Sequence, residues 1–527
     1  MVKNVSMSLA KSAVIMSLAS ALSRVLGFLR NTAISALFGQ NELTDMLNTA
    51  FIIPDTIYLI LVGGGISSAF IPVLSSYLAE GEEDSVWKVV SIAFNLVFVA
   101  VGLAVILGMI WTPQLVHIVA PGFNSEQVMY TSYLTRIVLL AILFHCLNGV
   151  LMGTEYAYQF FVATAVGPLV YNAAIIIFGL TLANSYGIAA FAISTLIGAV
   201  LNFLVQLWGI WHLKPSYRFV LNFNNEGIRK ILKLMLPVTI GLSITQLNLF
   251  FNQTFIASYL PSGSINALTL ASRVVLVPIL FASSIGITLL PALTRIIMKN
   301  DRKAFSRYLS NALRAVIFIS IPATVGLVVL GEPVIRILFE HGNFTSSDTL
   351  LTTNALVFYS LGITAYGAYE ILSRAFYATK DTVTPLKLAL ITLLVGTVLN
   401  FTLGPLYGVS GLALAYSIAG FVNVILLFYY LQRKVQTDFK RRELLITMVK
   451  SFLAAITMGF FLTTVAKNLT LPLVGLSLMR EGIELITFIV LGVLSYGCIA
   501  WVLRMEELTV FLNILSRRLR RSSGTTG

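Results

Sequence analysis

The chain has 527 residues, of which 57% are hydrophobic and only 11% are charged. Soluble domains carry about 25% charged residues, so this composition excludes a soluble globular protein and predicts a polytopic membrane protein. The formal net charge of +13 could indicate a nucleic-acid partner, but the basic residues fall in short segments between apolar stretches. We interpret them as determinants of membrane orientation, and we expect no nucleic-acid partner.

Fourteen stretches are apolar over about the 20 residues that a helix needs to cross the hydrocarbon core. In chain order they are 11–38, 46–78, 86–112, 129–153, 158–184, 187–212, 231–260, 264–296, 308–331, 350–378, 382–404, 407–432, 446–467 and 483–503. The second contains Pro54 and the run 63–65 of glycines, and the eighth contains Pro278 and Pro291. Such breaks persist at membrane depth only where protein or a cavity satisfies the freed backbone groups. The sequence therefore predicts an all-α protein with 14 transmembrane helices, some of them interrupted.

The loops between these stretches alternate in charge. One set is rich in Lys and Arg, as at 214–230, 295–303 and 433–442, and so is the tail at 517–521. The other set is short or acidic. Because Lys and Arg accumulate in cytoplasmic loops, this alternation predicts a multi-pass protein with both termini in the cytoplasm.

A weak internal repeat relates the two halves of the chain. The matching residues are Pro72 and Pro291, Pro113 and Pro333, Gly122 and Gly342, Tyr186 and Tyr407, and Asn202 and Asn423. The spacing within these pairs drifts by only two positions over the whole span. Six helices separate the copies, and an even number gives both copies the same orientation, as in a parallel repeat about an axis along the membrane normal.

The repeat predicts two six-helix lobes in parallel pseudo-repeat, followed by two C-terminal helices. The predicted boundaries are 1–213 for the N-terminal lobe, 214–432 for the C-terminal lobe, 433–503 for the last two helices and 504–527 for a cytoplasmic tail. A cavity between the lobes and a rocking motion of one lobe against the other are the expected consequences.

Three arginines lie inside stretches that are otherwise apolar enough to cross the membrane: Arg24, Arg30 and Arg273. A charge at mid-bilayer costs roughly 2.5–3.5 kcal/mol on insertion scales, so such residues usually face a cavity or a ligand. Arg30 follows Arg24 by about 9 Å along the helix axis and about 120° around it. Snorkelling to the headgroups is the alternative interpretation, and it is weakest for Arg24 in mid-helix. Together the arginines favour a phosphate or pyrophosphate ligand, which guanidinium binds bidentately.

Acidic residues near these arginines are candidate partners. Asp45 begins the second stretch and is either a functional acid or an ordinary charge that favours the helix dipole. Asp55 follows Pro54 and could pair with an arginine, and Glu370 could form half of a salt bridge. Glu155 is interpreted as an ordinary charge at a cytoplasmic helix end.

The chain has no phosphate-binding loop, no nucleophile arrangement and no metal-ligand spacing among its four histidines. We therefore expect a protein that is not an enzyme and that has no metal site and no cofactor.

Several segments together resemble the MurJ (MviN) family of bacterial lipid II flippases, in the MOP exporter superfamily. They are Leu22-Ser23-Arg24-Val25-Leu26-Gly27-Phe28-Leu29-Arg30 with Thr44-Asp45, Ala120-Pro121-Gly122-Phe123, Ala271-Ser272-Arg273 with Leu289-Leu290-Pro291, and Arg374-Ala375-Phe376-Tyr377-Ala378 with Asp381-Thr382. Each motif is modest by itself, but their order and spacing over nearly the whole chain are specific.

The resemblance implies a substrate, lipid II, which is undecaprenyl-pyrophosphate carrying the peptidoglycan disaccharide-pentapeptide. It implies that Arg24, Arg30 and Arg273 contact the pyrophosphate from a central cavity and that Asp45 is a functional acid. It further implies alternating access in the bacterial cytoplasmic (inner) membrane, for cell-wall synthesis, with a lipid-tail groove at the last two helices. Membrane lipids are then the other partners, and a monomer is expected.

Two sources of driving force are considered, a sodium gradient and the membrane potential. Some family members bind sodium through acidic ligands, but here Gly404 stands where an acid is expected, so no sodium site is predicted. The membrane potential, worth about 2.3 kcal/mol per charge per 100 mV, could reset a cationic empty cavity. The alternatives are an exporter of another lipid-linked oligosaccharide or of a drug within the superfamily, and a membrane scaffold whose arginines only pair with acids.

Overall fold

The computed structural model describes residues 9–59, 69–436, 439–468 and 477–509, and over these residues all regular secondary structure is helical. The α-helices are α1 (Leu9–Phe38), α2 (Glu42–Tyr58), α3 (Ile71–Ala79), α4 (Glu83–Ile110), α5 (Thr112–Val119), α6 (Ser125–Ala157), α7 (Val162–Tyr186), α8 (Ala189–His212), α9 (Glu226–Phe250), α10 (Ser264–Met298), α11 (Arg302–Phe339), α12 (Ser346–Ser360), α13 (Ile363–Ala378), α14 (Val383–Val435), α15 (Arg441–Asn468) and α16 (Ser477–Val502). A π-helical turn (Phe251–Phe255) and a 3-10 turn (Ala257–Tyr259) follow α9. The predicted all-α class is confirmed.

Each of the fourteen predicted stretches is mainly helical over its described residues. Nine of the described helices are long and apolar enough to cross a membrane, or ten if α12 and α13, which meet at a bend of 44°, form one span. The second stretch comprises α2 and α3, and the glycine run at 63–65 lies outside the described residues, as does the tail from 510 onward. The short helix α5 is the one α-helix that no predicted stretch contains.

Backbone conformation supports the internal repeat. Gly187, between α7 and α8, has φ +55° and ψ −141°. Gly408, which breaks α14 into the predicted eleventh and twelfth stretches, has φ +58° and ψ −136°. The spacing that relates these two glycines also relates Ala157 to Ala378, where α6 and α13 end. The same left-handed corner therefore recurs at the same place in both copies, at a residue type that tolerates positive φ.

Local sequence signals explain where several helices begin. Asn41 accepts a hydrogen bond from the Thr44 backbone N–H, and the Thr44 hydroxyl accepts one from the Asn41 backbone. Asn124 and Gln127 form the same reciprocal capping box at the start of α6. The Asp301 side chain accepts from the backbone of α11. These caps satisfy N–H groups that a helix leaves unpaired in its first turn.

The chain divides into two compact units. Unit 1 comprises Met1–Asn266 with His341–Thr345, and unit 2 comprises Ala267–Glu340 with Ser346–Gly527. In unit 1, α7 packs along α8, and α8 packs along α6. In unit 2, α11 packs against α13, α15 and α16 around one large apolar core. The lobe boundaries at 213 and 432 stay predictions.

A charged network ties α15 and α16 to α11 in unit 2. The Arg314 guanidinium contacts Glu507 at 2.7 Å, Glu506 at 2.9 Å and Glu443 at 3.2 Å. Burial by itself raises the pKa of Glu507, but hydrogen bonds from Thr447 and Arg314 outweigh it and lower the pKa below its ordinary value. The Arg314 and Glu507 side chains are 13% and 8% exposed, whereas Glu443 and Glu506 are 40% and 79% exposed, so the Arg314–Glu507 pair is the desolvated part of this anchor.

Candidate functional site

Arg24 lies on the exposed face of α1, together with the exposed apolar residues Leu22, Val25 and Leu29. The neighbouring Ser23 fixes this part of α1 against α7. Its hydroxyl accepts a hydrogen bond from Asn172 Nδ2 at 3.1 Å. This hydrogen bond fixes one side of α1 to α7. Arg24 lies on the exposed side of α1 and can therefore contact a ligand without a movement of the helix.

Arg30 is half-buried on the same helix. Its charge acts on the Tyr171 hydroxyl of α7, and so does the charge of Asp55 in α2. One cationic and one anionic group therefore lie near the same tyrosine. That Asp55 pairs with an arginine stays a prediction.

His145 joins the same cluster from α6. Its ring lies edge-on to Tyr171, at 4.9 Å between centroids, and to Tyr58, at 6.2 Å. The cluster of Arg30, Asp55, Tyr58, His145 and Tyr171 thus draws on four helices of unit 1. Sequence reasoning missed it, because Tyr58 and Tyr171 look like ordinary aromatic residues of apolar helices and only the packing brings them to His145.

Asp45 is buried and both of its carboxylate oxygens accept backbone hydrogen bonds. Oδ2 accepts from the Gly263 N–H and Oδ1 from the Asn266 N–H, each at 2.7 Å. Asn48 donates to the Asn266 side chain at 2.9 Å. Asp45 therefore caps the start of α10, a different helix from its own, where a carboxylate is favoured by the free N–H groups and the helix dipole. Its role as a functional acid stays a prediction.

Arg273 lies half-buried in α10, nine residues after Ser264, and belongs to unit 2. Elsewhere in unit 2, Arg374 pairs with Glu370 at 3.6 Å, so the expectation that Glu370 forms half of a salt bridge is confirmed. Ser283 of α10 donates a weak hydrogen bond to the same carboxylate at 3.4 Å.

A separate cavity of about 760 Å³ opens at the N-terminal ends of α2 and α6 in unit 1. Its lining includes Glu42, Glu126, Tyr130 and Tyr133, and none of the predicted substrate-binding residues. Among the described residues, no group of three or more His, Cys, Asp or Glu is placed to hold a metal ion.

Glu155 corrects a sequence-based interpretation. It lies near the C-terminal end of α6, as an ordinary helix-end charge would, but its side chain is fully buried. The helix end is covered because α8 presents Gly209 at this point, which lets the carboxyl lie against the α8 backbone.

Comparisons with known proteins agree with this architecture. The family model described as lipid II flippase MurJ matches residues 34–482. A probable lipid II flippase MurJ of Buchnera aphidicola (subspecies Schizaphis graminum) is 30% identical over 461 residues, which covers 86% of this chain and 89% of that protein. A probable lipid II flippase MurJ of Vibrio cholerae is 29% identical over 521 residues, which covers 96% of this chain and 98% of that protein.

Solved structures give the same result. An inward-facing multidrug resistance MATE family transporter of the MOP superfamily matches with TM-score 0.68 at 13% identity, over 80% of this chain and 98% of that one. A lipid II flippase MurJ in an inward closed conformation matches with TM-score 0.76 at 30% identity, over 93% of this chain and 98% of that one. The fold is therefore that of the MOP superfamily transporters. Within that class, the chain belongs to the MurJ lipid II flippase family.

Proposed function

We propose that this protein is a lipid II flippase, which translocates the lipid-linked peptidoglycan precursor from the inner to the outer leaflet of the cytoplasmic membrane. This proposal rests mainly on the match to the family model over residues 34–482. The structural match to a solved MurJ, which covers 93% of this chain, supports it. The protein is a multi-pass inner-membrane transporter and not an enzyme. Its substrate is lipid II, and its surroundings are membrane lipids.

The pyrophosphate of the substrate is proposed to bind Arg24 and Arg30 on α1 and Arg273 on α10. Arg24 and Arg30 precede the range that the family model matches, so their role rests on their chemistry and position. Arg24 is exposed on α1, and Arg30 is half-buried, with its charge acting on Tyr171 of α7. Permanently charged guanidinium groups in an apolar surrounding bind a diphosphate strongly, because little water screens the attraction.

Asp45 is proposed to act on transport indirectly, through the helix that carries Arg273. Its carboxylate holds the first turn of α10, and Arg273 lies nine residues further along that helix. Loss of the cap would therefore change the start of the helix and not a contact with the substrate.

Both termini are proposed to lie in the cytoplasm, because the Lys- and Arg-rich loops then share that side. The protein is proposed to act as a monomer, and the membrane potential to reset the empty cationic site by drawing positive charge inward. Transport that is unchanged when the potential is collapsed would count against the last point. No cofactor and no sodium site are part of this proposal.

The test is complementation of a bacterium depleted of its own lipid II flippase. The parent chain is expected to restore growth, and Arg24→Ala, Arg30→Ala and Arg273→Ala are expected to fail at matched membrane levels. Arg229→Ala is the matched control, because Arg229 is exposed at the start of α9 and its guanidinium donates a hydrogen bond to the exposed Asn224 at 2.7 Å. Failure of a well-expressed parent would point to another lipid-linked oligosaccharide as the cargo. Rescue by all three arginine variants would refute the proposed site.

A further inference from the structure

A buried polar cluster in unit 1 contains hydrogen-bond acceptors that have no donors. The cluster consists of Glu155 on α6 with Asn202 and Gln206 on α8, and we call it the Glu155 cluster. Glu155 and Gln206 are 0% exposed, and Asn202 is 6% exposed. Both carboxyl oxygens of Glu155 and the Oε1 atom of Gln206 lack a hydrogen-bond partner.

Small residues let the helices that carry the cluster approach one another closely. A Cβ atom at Gly209 would lie 2.0 Å from Glu155 Oε1 and 2.6 Å from Ala163 Cβ. Gln206 Nε2 donates to the Ala163 carbonyl at 3.3 Å and to Asn202 Oδ1 at 3.0 Å. Glu155 and Gln206 therefore flank the same residue of α7.

No cation on the neighbouring helices neutralises Glu155. From 156 to 213 the chain contains no Asp, Glu, Lys or Arg, so α7 and α8 offer His212 as their one group that titrates near neutral pH. His212 bonds Trp208 and packs on Phe160. The other titratable or charged groups on α6 and on the helices packed against it are Glu126, Tyr130, Tyr133, Arg136, His145, Cys146 and Tyr156 on α6, Glu42, Asp45, Asp55 and Tyr58 on α2, Tyr77 on α3, Glu83, Asp84 and Lys88 on α4, His117 on α5, and Tyr171 and Tyr186 on α7. The two permanent cations among them, Lys88 and Arg136, are exposed, and neither forms a hydrogen bond with Glu155.

Only the protonated form of Glu155 fits this environment. An ionised carboxylate without a cation or a donor is among the most expensive groups to bury. A carboxylic acid is neutral, and its O–H is the donor that the cluster lacks. We propose that Glu155 is a proton-binding site of unit 1, that the proton is bound in the packed state described here, and that its release weakens binding of the anionic substrate. Ionisation moves the proton to solvent water and leaves a carboxylate.

A chain of contacts links this site to the substrate-binding helix. Asn202 and Gln206 lie against Gly167 of α7, where a Cβ would come within 2.2 Å and 2.3 Å of their side chains. The carbonyl of the next residue, Pro168, accepts hydrogen bonds from the Ser23 hydroxyl, at 3.5 Å, and from Asn172. Ser23 precedes Arg24. A change in the Glu155 cluster therefore has a short packed route to the helix that carries Arg24.

The internal repeat shows that the fold does not require an acid here. At the spacing that relates Ala157 to Ala378, the ends of α6 and α13, Glu155 corresponds to Phe376 and Gln206 to Leu427. Both are 0% exposed and belong to the apolar core of unit 2. An apolar pair fills the equivalent position in one copy, so the acid in the other copy has a role other than filling space.

The direction of the linkage follows from charge. Ionisation of Glu155 adds one negative charge to the unit that carries Arg24 and Arg30, so affinity for a diphosphate falls. Allosteric couplings are typically 5- to 150-fold in affinity, and a single charge at a distance belongs near the lower end, about 5-fold. The linkage rests on the proposed function, whereas the proton site does not.

The first measurement is infrared spectroscopy of the purified full-length protein in lipid at neutral pH. The parent is expected to show a C=O stretching band of a protonated carboxyl that Glu155→Gln removes. Glu126→Gln, an exposed acid in the first turn of α6, is the matched control and keeps the band. A parent without a band that depends on Glu155 overturns the proton site.

The second measurement is lipid II affinity as a function of pH in the same samples. The parent is expected to lose about 5-fold in affinity as the Glu155 band disappears, and Glu155→Gln is expected to be independent of pH over that range. Equal pH dependence in the two proteins overturns the linkage, and affinity that follows sodium instead of pH makes the cluster a metal-cation site and overturns the proposal. If lipid II does not bind at all, the proposed function fails while the infrared result still decides the proton site.

Discussion

Two buried ionisable groups, Arg314 in unit 2 and Glu155 in unit 1, have opposite surroundings. In unit 2, Arg314 contacts three carboxylates, so its charge is neutralised by partners. In unit 1, Glu155 is fully buried without a hydrogen-bond partner, and the repeat places Phe376 at the equivalent position of unit 2. A charge that only holds helices together can keep its partners, whereas a buried acid without partners is suited to gain and lose a proton. Arg314 is therefore a structural group, whereas Glu155 is suited to bind and release a proton.

The largest effect on stability is expected when an acid is introduced in unit 2, at the position that corresponds to Glu155. Phe376→Glu places a carboxyl in the apolar core of unit 2, where Leu427 stands in place of Gln206, so we expect a loss of about 4 kcal/mol or more in unfolding free energy. Phe376→Leu is the control and is expected to lose about 1 kcal/mol. The denaturation midpoint of the purified protein measures both. A Phe376→Glu protein as stable as Phe376→Leu would show that this position tolerates an acid in either copy.

A smaller loss is expected when the Arg314 anchor is broken. Arg314→Ala leaves Glu507, whose side chain is 8% exposed, without its cation, and we expect a loss of about 2 kcal/mol. Because the folded pKa of Glu507 lies below its ordinary value, its stabilising contribution is present above that ordinary value, near pH 4.5. The contribution is lost as the pH falls through the lower folded pKa.

The pH dependence of the denaturation midpoint tests whether this contribution is lost on acidification. The parent is expected to lose stability on acidification below about pH 4.5, and Arg314→Ala to lose less over the same range because part of the contribution is already absent. Identical acid profiles for the two proteins would show that Arg314 does not set the pKa of Glu507.

The close contact at Gly209 predicts that Gly209→Ala loses as much stability as Arg314→Ala, or less. Gly209→Ala places a methyl 2.0 Å from Glu155 Oε1, so one of the two must move, and we expect a loss of about 1–2 kcal/mol. Gly497→Ala in α16 is the matched control, because a Cβ there meets nothing within 4 Å. Helix propensity alone predicts a gain of up to about 1 kcal/mol for that control. Equal midpoints for the two alanine variants would contradict the packing described at Glu155.

The smallest effect on stability is expected for Glu155→Leu. Replacing a buried ionisable group by an apolar one of similar volume is often neutral or stabilising, so the unfolding free energy should change by less than about 1 kcal/mol. The pH dependence of lipid II affinity should disappear in the same variant. A strongly destabilised Glu155→Leu protein would mean that Glu155 is a structural group like Arg314.

The sequence predicted the helices well and the tertiary contacts poorly, for a physical reason. Fourteen helical stretches follow from apolar length alone, and the repeat follows from matched prolines and glycines such as Pro72 and Pro291. Contacts between distant residues carry no local signal. Nothing in the residues around Asp45 indicates that its carboxylate caps α10, which lies far along the chain, and nothing around Glu155 indicates that Gly209 covers it.

The role of the predicted arginines in substrate binding stays a prediction. The arginines of α1 were identifiable because a charge in an apolar helix is costly. The cluster of Tyr58, His145 and Tyr171 was not, since aromatic residues in apolar helices are ordinary and only their packing distances distinguish them.

The most direct test of the whole account is lipid II translocation in proteoliposomes that contain only the purified protein. We expect the parent to move fluorescent lipid II between leaflets, and Arg24→Ala to reduce the rate at least about 10-fold, the equivalent of about 1.4 kcal/mol. Arg229→Ala should keep the parental rate. Absence of translocation by folded parent protein, or an Arg24→Ala rate equal to that of Arg229→Ala, would contradict the account.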